Sequence, residues 1–237
     1  MRVVVTGATG GIGRALVAHY LDRGDEVIAV STQKHQHIAD TINGNCHWLW
    51  QCPPEDYVGR LSPILQSRLP DRVFHCSGIL HANGKMPEKA LKQFSAAQLQ
   101  DNMQANCIAA VSLLQALEPF LNRYSQCIIA VLSAKVGSIE DNYLGGWHSY
   151  RMSKAALNMA IKTVSIEWRR RFPQVVLAAV HPGTTESKLS QPFQHNVPTQ
   201  QLASATVTAA RLATLAERLT NQDSGALLHW DGSKIPF

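Results

Sequence analysis

Residues 2–21 read RVVVTGATGGIGRALVAHYL, and the fold turns on how this stretch divides. RVVVT is a short apolar run rich in β-branched residues, the pattern of a strand covered on both faces. Directly after it Gly7, Gly11 and Gly13 stand as GxxxGxG, and from Arg14 to Arg23 the pattern is helical, closed by Gly24. A glycine-rich turn at a strand-to-helix junction lets a pyrophosphate approach backbone N–H groups, and the helix N-terminus adds partial positive charge. Gly7, Thr9, Gly10, Gly11, Ile12 and Gly13 are therefore the candidate residues of a dinucleotide cradle.

Outward from this junction, strand and helix keep alternating. Continuous apolar runs recur at 26–30, 47–50, 72–76, 127–133, 175–180 and 226–230, with helical patterns at 96–122, 150–171 and 204–220. A short helix is expected between Cys52 and Pro70, where Pro53, Pro54 and Pro63 obscure its ends. The alternation predicts an α/β fold: a doubly wound, parallel, seven-stranded sheet with helices on both faces (a Rossmann fold), in one domain over residues 1–237. The second strand ends AVSTQKH, with Ser31 and Thr32 where a carboxylate would read the ribose of NAD, and Lys34 close behind. Hydroxyls and a cation favour NADP(H), with NAD(H) as the alternative.

Composition sets the remaining bounds. The chain has 237 residues, 45% hydrophobic and 16% charged, with a net charge of +5, as in an ordinary globular protein. Its one dense basic run, Arg169 to Arg171, falls where a long helix should end and complements the helix dipole, so no nucleic-acid partner is expected. No run approaches the roughly 20 apolar residues needed to cross a bilayer. The first strand begins at once, leaving no room for a leader, so a cytoplasmic protein without a membrane partner is expected. The five cysteines lack CxxC spacing and are read as reduced thiols. His35, His37, Cys46, His47 and Cys52 crowd one region without zinc spacing, so no metal is expected.

A second stretch carries the chemistry. Residues 145–154 read GGWHSYRMSK, and the chain then becomes strongly helical, so Tyr150 and Lys154 share one helix face. A free phenol has a pKa of about 10. An ammonium one turn away favours its ionised form, which would make Tyr150 a general acid or base near neutral pH.

Taken together these motifs resemble the short-chain dehydrogenase/reductase family over nearly the whole chain. TGxxxGxG appears as Thr6 to Gly13, YxxxK as Tyr150 to Lys154, the active-site serine as Ser133, and the PG turn as Pro182 and Gly183. The family's catalytic asparagine corresponds to Asn106 in QANCIAAVSLL. Its NNAG turn is present only as His75, Cys76, Ser77 and Gly78, which puts in doubt the asparagine hydrogen bonds that usually tie this turn to the sheet. The acid that usually touches adenine is replaced near Gln51. Within the family, SGALLHWDGSKIPF and HPGTTESKLSQPFQ look most like the group that includes the C-factor signalling protein and the sniffer carbonyl reductases.

The resemblance implies hydride transfer between a nicotinamide and a carbonyl or alcohol substrate. Tyr150 would act as acid/base, Ser133 would hydrogen-bond the substrate oxygen, and Lys154 would also bind the ribose. Asn106 would hold a water, and Thr184 and Ser187 would hold the carboxamide. Cys76, Ser77, Gly78, Pro182 and Gly183 would line the cofactor. The alternative is a dinucleotide-binding signalling protein in which catalysis is secondary. Substrate-cleft loops are expected near 78–95, 134–149 and 184–200. The interval from Ser133 to Tyr150 is longer than is usual in the family, so Trp147 and Tyr143 are candidates to line an apolar pocket or to pack the loop down. Broad apolar helix faces, as in relatives, suggest a homodimer or homotetramer.

Overall fold

A computed structural model describes residues 1–34, 44–81, 84–196 and 198–237. Its first half runs β1 (Arg2–Thr6), α1 (Gly11–Asp22), β2 (Glu26–Val30), β3 (Cys46–Leu49), α2 (Tyr57–Ser67) and β4 (Arg72–His75). Then come α3 (Ala96–Met103), a π turn (Gln104–Ile108), α4 (Ala109–Leu117), β5 (Cys127–Leu132), α5 (His148–Arg171) and β6 (Val175–His181). The chain continues with β7 (Thr184–Thr185), β8 (Leu202–Ala203), α6 (Ala205–Arg218), β9 (Leu227–His229) and β10 (Lys234–Ile235).

The main sheet has the order β10-β9-β6-β5-β4-β1-β2-β3. All seven strands expected from the apolar runs are present and parallel, and β10 adds an antiparallel edge of two residues beside β9. β7 and β8 pair separately. Alternation along each strand divides the core. Val4, Ile28, Val73, Ile129 and Leu177 face the layer that holds α2, α4 and α5, whereas Val3, Val5, Val27, Phe74 and Val180 pack with residues of α1 and α6.

Chain order reverses between β1 and β4, the switch point at which an open α/β sheet leaves a crevice beyond its strand ends. There Thr6 and His75 are register partners, and Thr6 Oγ1 lies 2.7 Å from His75 Nδ1. The helix expected over 96–122 is interrupted by the π turn at Gln104–Ile108 and ends in a 3-10 turn at Glu118–Phe120, where Pro119 cannot donate. The helix expected from Tyr150 begins two residues earlier, at His148, and its last turn carries Arg169, Arg170 and Arg171 as anticipated. No helix among the described residues is long and apolar enough to cross a membrane.

Candidate active site

The cradle after β1 depends on two glycines. Gly7 has φ +68°, and a Cβ there would lie 2.7 Å from the backbone nitrogen of Ser77. At Gly13 a Cβ would lie 2.2 Å from the Gly7 carbonyl oxygen, so α1 can rest on the turn only without a side chain. Gly10 caps α1 without a side-chain hydrogen bond, and the first turn holds no acid. The first N–H groups of α1 are therefore left to an anion.

A cavity of about 400 Å³ opens beside this turn, lined by Gly7, Thr9, Gly10, Ser31, Thr32, Cys76, Ser77 and Gly78, all expected from the sequence. Thr9 Oγ1 and Ser31 Oγ lie 2.9 Å apart, and Ser31 Oγ accepts the Gln33 N–H at 3.1 Å. Ser31 is buried while Thr32, Gln33 and Lys34 are exposed. Gln51 stands at φ 50° just past β3 with its side chain exposed, and Pro54 and Tyr57, further along the same connection, line the cavity. Val30, Gln33, Ile79, Gln104, Ala105 and Ala109 complete a lining that no motif marked. A glycine cradle, an uncapped helix end and a cavity along three strand ends fit a dinucleotide.

α5 buries Ser149, Tyr150, Ser153, Lys154, Leu157 and Asn158 on one face, which sets the proton-transfer pair against the ends of β4 and β5. Lys154 Nζ donates to the Leu132 carbonyl at 2.9 Å and lies 5.9 Å from the centre of the Tyr150 ring. The sequence reading had the ammonium pulling the phenol's pKa down. In the structure burial dominates both groups, raising the Tyr150 pKa above its ordinary value and lowering that of Lys154 to about 8. Ser133, at the end of β5, donates from Oγ to Asn158 Oδ1 at 2.6 Å, and Asn158 Nδ2 donates to the Gly137 carbonyl at 3.2 Å.

Asn106 sits in the π turn, fully buried. Its Oδ1 accepts the Ile79 N–H at 2.7 Å, and its Nδ2 faces the Ile79 carbonyl at 2.8 Å and Ser153 Oγ at 2.9 Å. Asn106 thus secures the loop after β4 from the helix side, where His75 and Cys76 depart from the family pattern. A Cβ on Gly78 would lie 3.0 Å from Asn106 Oδ1 and 3.5 Å from Lys154 Nζ, so this position packs tightly against both side chains.

The turn after β6 covers the cradle from above. Gly183 has φ +78°, and a Cβ there would be 3.1 Å from the Trp230 ring, itself stacked by the Arg211 guanidinium at 3.9 Å. Pro182 and Thr184 flank it, both half-buried. Ser187 reaches over α1: its Cβ lies 3.3 Å from the position a Gly11 Cβ would take, and its N–H donates to Ser190 Oγ at 3.2 Å.

Tyr150 shares a small apolar cluster with Leu80 and Ala134, packed by Val136, Trp147, Leu189 and Phe193. Trp147 stands at the cap of α5 in the left-handed region, φ 50° and ψ 43°, and its ring centre is 4.9 Å from that of Phe193. Arg151 donates to the carbonyls of Gly145, Gly146 and Val136, bracing the enlarged loop. Tyr143 does not join the wall and is 86% exposed. Among the described residues no group of His, Cys, Asp or Glu could hold a metal, and His35 and His37 lie outside the described residues.

Sequence reasoning missed Asn158 and Glu88. Asn158 lies one turn beyond Lys154 on the face already singled out, so its spacing was a usable signal. Glu88 lies 61 residues from Ser149, to which it is hydrogen-bonded, and no local pattern marks that pairing.

Fold and site together define an α/β protein with a glycine-bordered cavity at the switch point and a Tyr–Lys pair, a serine and an asparagine near the strand ends. The family model for short chain dehydrogenases matches residues 1–198, and the chain belongs to that family of oxidoreductases. It is 27% identical over 238 residues to the 1-hydroxy-2-glutathionyl-2-methyl-3-butene dehydrogenase of Rhodococcus sp. (strain AD45), covering 99% of each chain. Among solved structures it is similar to the carbonyl reductase Sniffer of D. melanogaster, with a TM-score of 0.83 and 20% identity, covering 100% of this chain and 99% of the other. The NADPH-bound carbonyl reductase from chicken fatty liver has a TM-score of 0.81 and 24% identity, over 100% of this chain and 94% of the other.

Proposed function

We propose that this protein is an NADP(H)-dependent carbonyl reductase acting on an uncharged, largely apolar carbonyl compound, or on the corresponding alcohol in reverse. One observation carries the reading: Tyr150 stands within an apolar wall, backed by Lys154, whose ammonium approaches Gly78 of the glycine-bordered cavity. A nicotinamide, when bound, supplies or takes the hydride. Burial keeps Tyr150 in its protonated form, the form that gives a proton to a carbonyl oxygen, and the Lys154 cation is the group that would ease that transfer near neutral pH. Lys154 places a cation beneath the phenol and beside Gly78, where a ribose would pass. Leu80, Val136, Trp147 and Phe193 would orient an apolar substrate and keep water from it.

Ser31, Thr32 and Lys34 in place of a carboxylate support NADP(H), as does the likeness to an NADPH-bound reductase. Ile108 on the π turn, with Met152, Met159 and Ile166 on α5, leaves an exposed apolar stripe on the helices expected to pair, which supports a dimer or tetramer of a cytoplasmic enzyme. The deciding experiment titrates the purified protein with NADPH and NADH, then screens aldehydes, ketones and quinones with the preferred one. The expected result is tighter NADPH binding and carbonyl turnover that Tyr150→Phe abolishes while binding persists. A protein that binds neither dinucleotide, or turns over no carbonyl, contradicts the reading.

A further inference from the structure

Trp147 occupies a position that local backbone physics would give to another residue. Gly145, Gly146 and Trp147 follow one another at φ 62°, 64° and 50°, so the turn into α5 is left-handed throughout. Glycine and asparagine take that conformation readily, whereas a bulky side chain is strained in it. Among the described residues only Gln51 shares this combination of a side chain and a positive φ. Trp147 is also the N-cap of α5, a place suited to a hydroxyl or carboxylate, and its side chain makes no capping hydrogen bond. Glu88 takes over that task, accepting the Ser149 N–H at 3.2 Å. Arg151 holds the turn by donating to the Gly145 and Gly146 carbonyls at 3.2 and 3.0 Å. A residue that neither suits its backbone nor serves its helix is explained by what its ring touches. The indole centre lies 6.2 Å from that of Tyr150, edge to face at 70°, and 4.9 Å from that of Phe193 at 53°. His81 adds a fourth ring, 6.5 Å from Phe193 and tilted by 55°.

We infer that Trp147 is a specificity-determining residue that selects carbonyl compounds bearing a flat aromatic group over saturated ones of the same size. The inference rests on the carbonyl reductase reading and deepens it. A carbonyl oxygen that takes the Tyr150 proton lies within hydrogen-bond reach of the phenol, so the group on its carbon comes against the side chains that border Tyr150. Leu80, Ala134, Val136 and Leu189 offer that group apolar area alone. Trp147 and Phe193 are half-buried and stand at an angle to each other, so their corner presents both a ring face and a ring edge. An aromatic substituent gains from the opposite partial charges of face and edge, and a saturated ring does not. This cluster is separate from both layers of the main core, so its rings are not needed to cover the sheet.

The test measures, by calorimetry, the binding of two unreactive amides, benzamide and cyclohexanecarboxamide, to the complex with oxidised dinucleotide. Both carry the same carbonyl group on a ring of equal carbon number, one flat and one saturated. Wild type should favour benzamide by roughly three- to tenfold, the worth of an aromatic pair beyond its area. Trp147→Leu should bring the two affinities close to parity, and Trp147→Phe should keep most of the preference. Trp147→Gly removes the indole where glycine suits the backbone, so it carries the test should Trp147→Leu fail to fold. Tyr143→Ala, in the same loop and 86% exposed, should leave the ratio unchanged. A wild-type ratio in both Trp147→Leu and Trp147→Gly overturns the inference and leaves the carbonyl reductase reading intact. An equal loss of both amides in those variants also overturns it, by making the indole a loop-packing group. So does a wild type that binds dinucleotide but neither amide, or that prefers the saturated one. A wild-type protein that binds no dinucleotide overturns both readings together.

Discussion

The Glu88 carboxylate and the Ser149 hydroxyl are hydrogen-bonded inside the protein, one residue before Tyr150. The second carboxylate oxygen accepts the Ser149 N–H at 3.2 Å, and the Glu88 carbonyl accepts the Trp147 N–H at 2.5 Å. A negative group thus meets the positive end of α5 and satisfies donors that the helix leaves unpaired. It also ties the loop after β4 to the helix that carries the phenol.

Removing this carboxylate should loosen that start of the helix. Glu88→Ala is expected to cost about 2 kcal/mol, as for a buried hydrogen bond to a charged group, and to lower kcat more than it weakens dinucleotide binding. Denaturant unfolding and a dinucleotide titration on the same variant check both parts. Unchanged stability would show that solvent replaces the carboxylate without loss.

Gly13→Ala should separate binding from folding. The added Cβ meets the Gly7 carbonyl oxygen at 2.2 Å, so the cradle itself must shift, at about 1–3 kcal/mol. Dinucleotide affinity should fall at least tenfold. Gly24→Ala is the matched control: φ is +78°, but among the described residues nothing lies within 4 Å of the new Cβ. It should cost about 1 kcal/mol of stability through backbone strain and leave binding unchanged.

Asn106 is expected to hold the loop after β4 in place as much as it serves any proton path. Asn106→Leu removes both partners of the Ile79 peptide, at 2.7 and 2.8 Å. Hydrogen exchange over 76–81 should quicken, and stability should fall by about 2 kcal/mol, the cost of leaving buried polar groups unmade. Unaltered exchange would place the hold on this loop elsewhere.

The parallel α/β class was legible because apolar runs and helical patterns alternate along most of the chain, and the GxxxGxG junction fixed which end of the sheet matters. Tyr150 and Lys154 followed from helical spacing, and Asn158 could have followed from the same step taken once more. The π turn was not legible, since QANCI continues an unbroken helical pattern, yet the turn carries Asn106 to Ile79. Pro54 and Tyr57 were not legible as cavity residues, because the chain turns at positive φ at Gln51 just past β3 before it reaches them. β10 is two residues long, too short to show a period. Glu88 and Ser149 meet only through tertiary packing.

His75 replaces the first asparagine of the family turn, and its environment makes a pH prediction. Its ring is fully buried, Nδ1 faces Thr6 Oγ1 at 2.7 Å, and Nε2 has no hydrogen-bond partner among the described residues. Burial, with the nearby Lys154 charge, lowers its pKa to about 3 from 6.5. Between those values the unfolded chain takes up a proton that the folded protein refuses, so stability is lost as pH falls below about 6.5. The slope from this one group approaches about 1.4 kcal/mol per pH unit. At pH 5 that amounts to about 2 kcal/mol relative to neutral pH. His181, lowered to about 4 by burial, the neighbouring His229 and Lys135, adds a loss of the same sign. His75→Asn keeps a polar partner for Thr6 but cannot titrate, so its stability should fall less steeply from pH 7 to pH 5 than that of the wild type. Parallel slopes in urea unfolding at the two pH values would show that His75 is not a source of acid sensitivity.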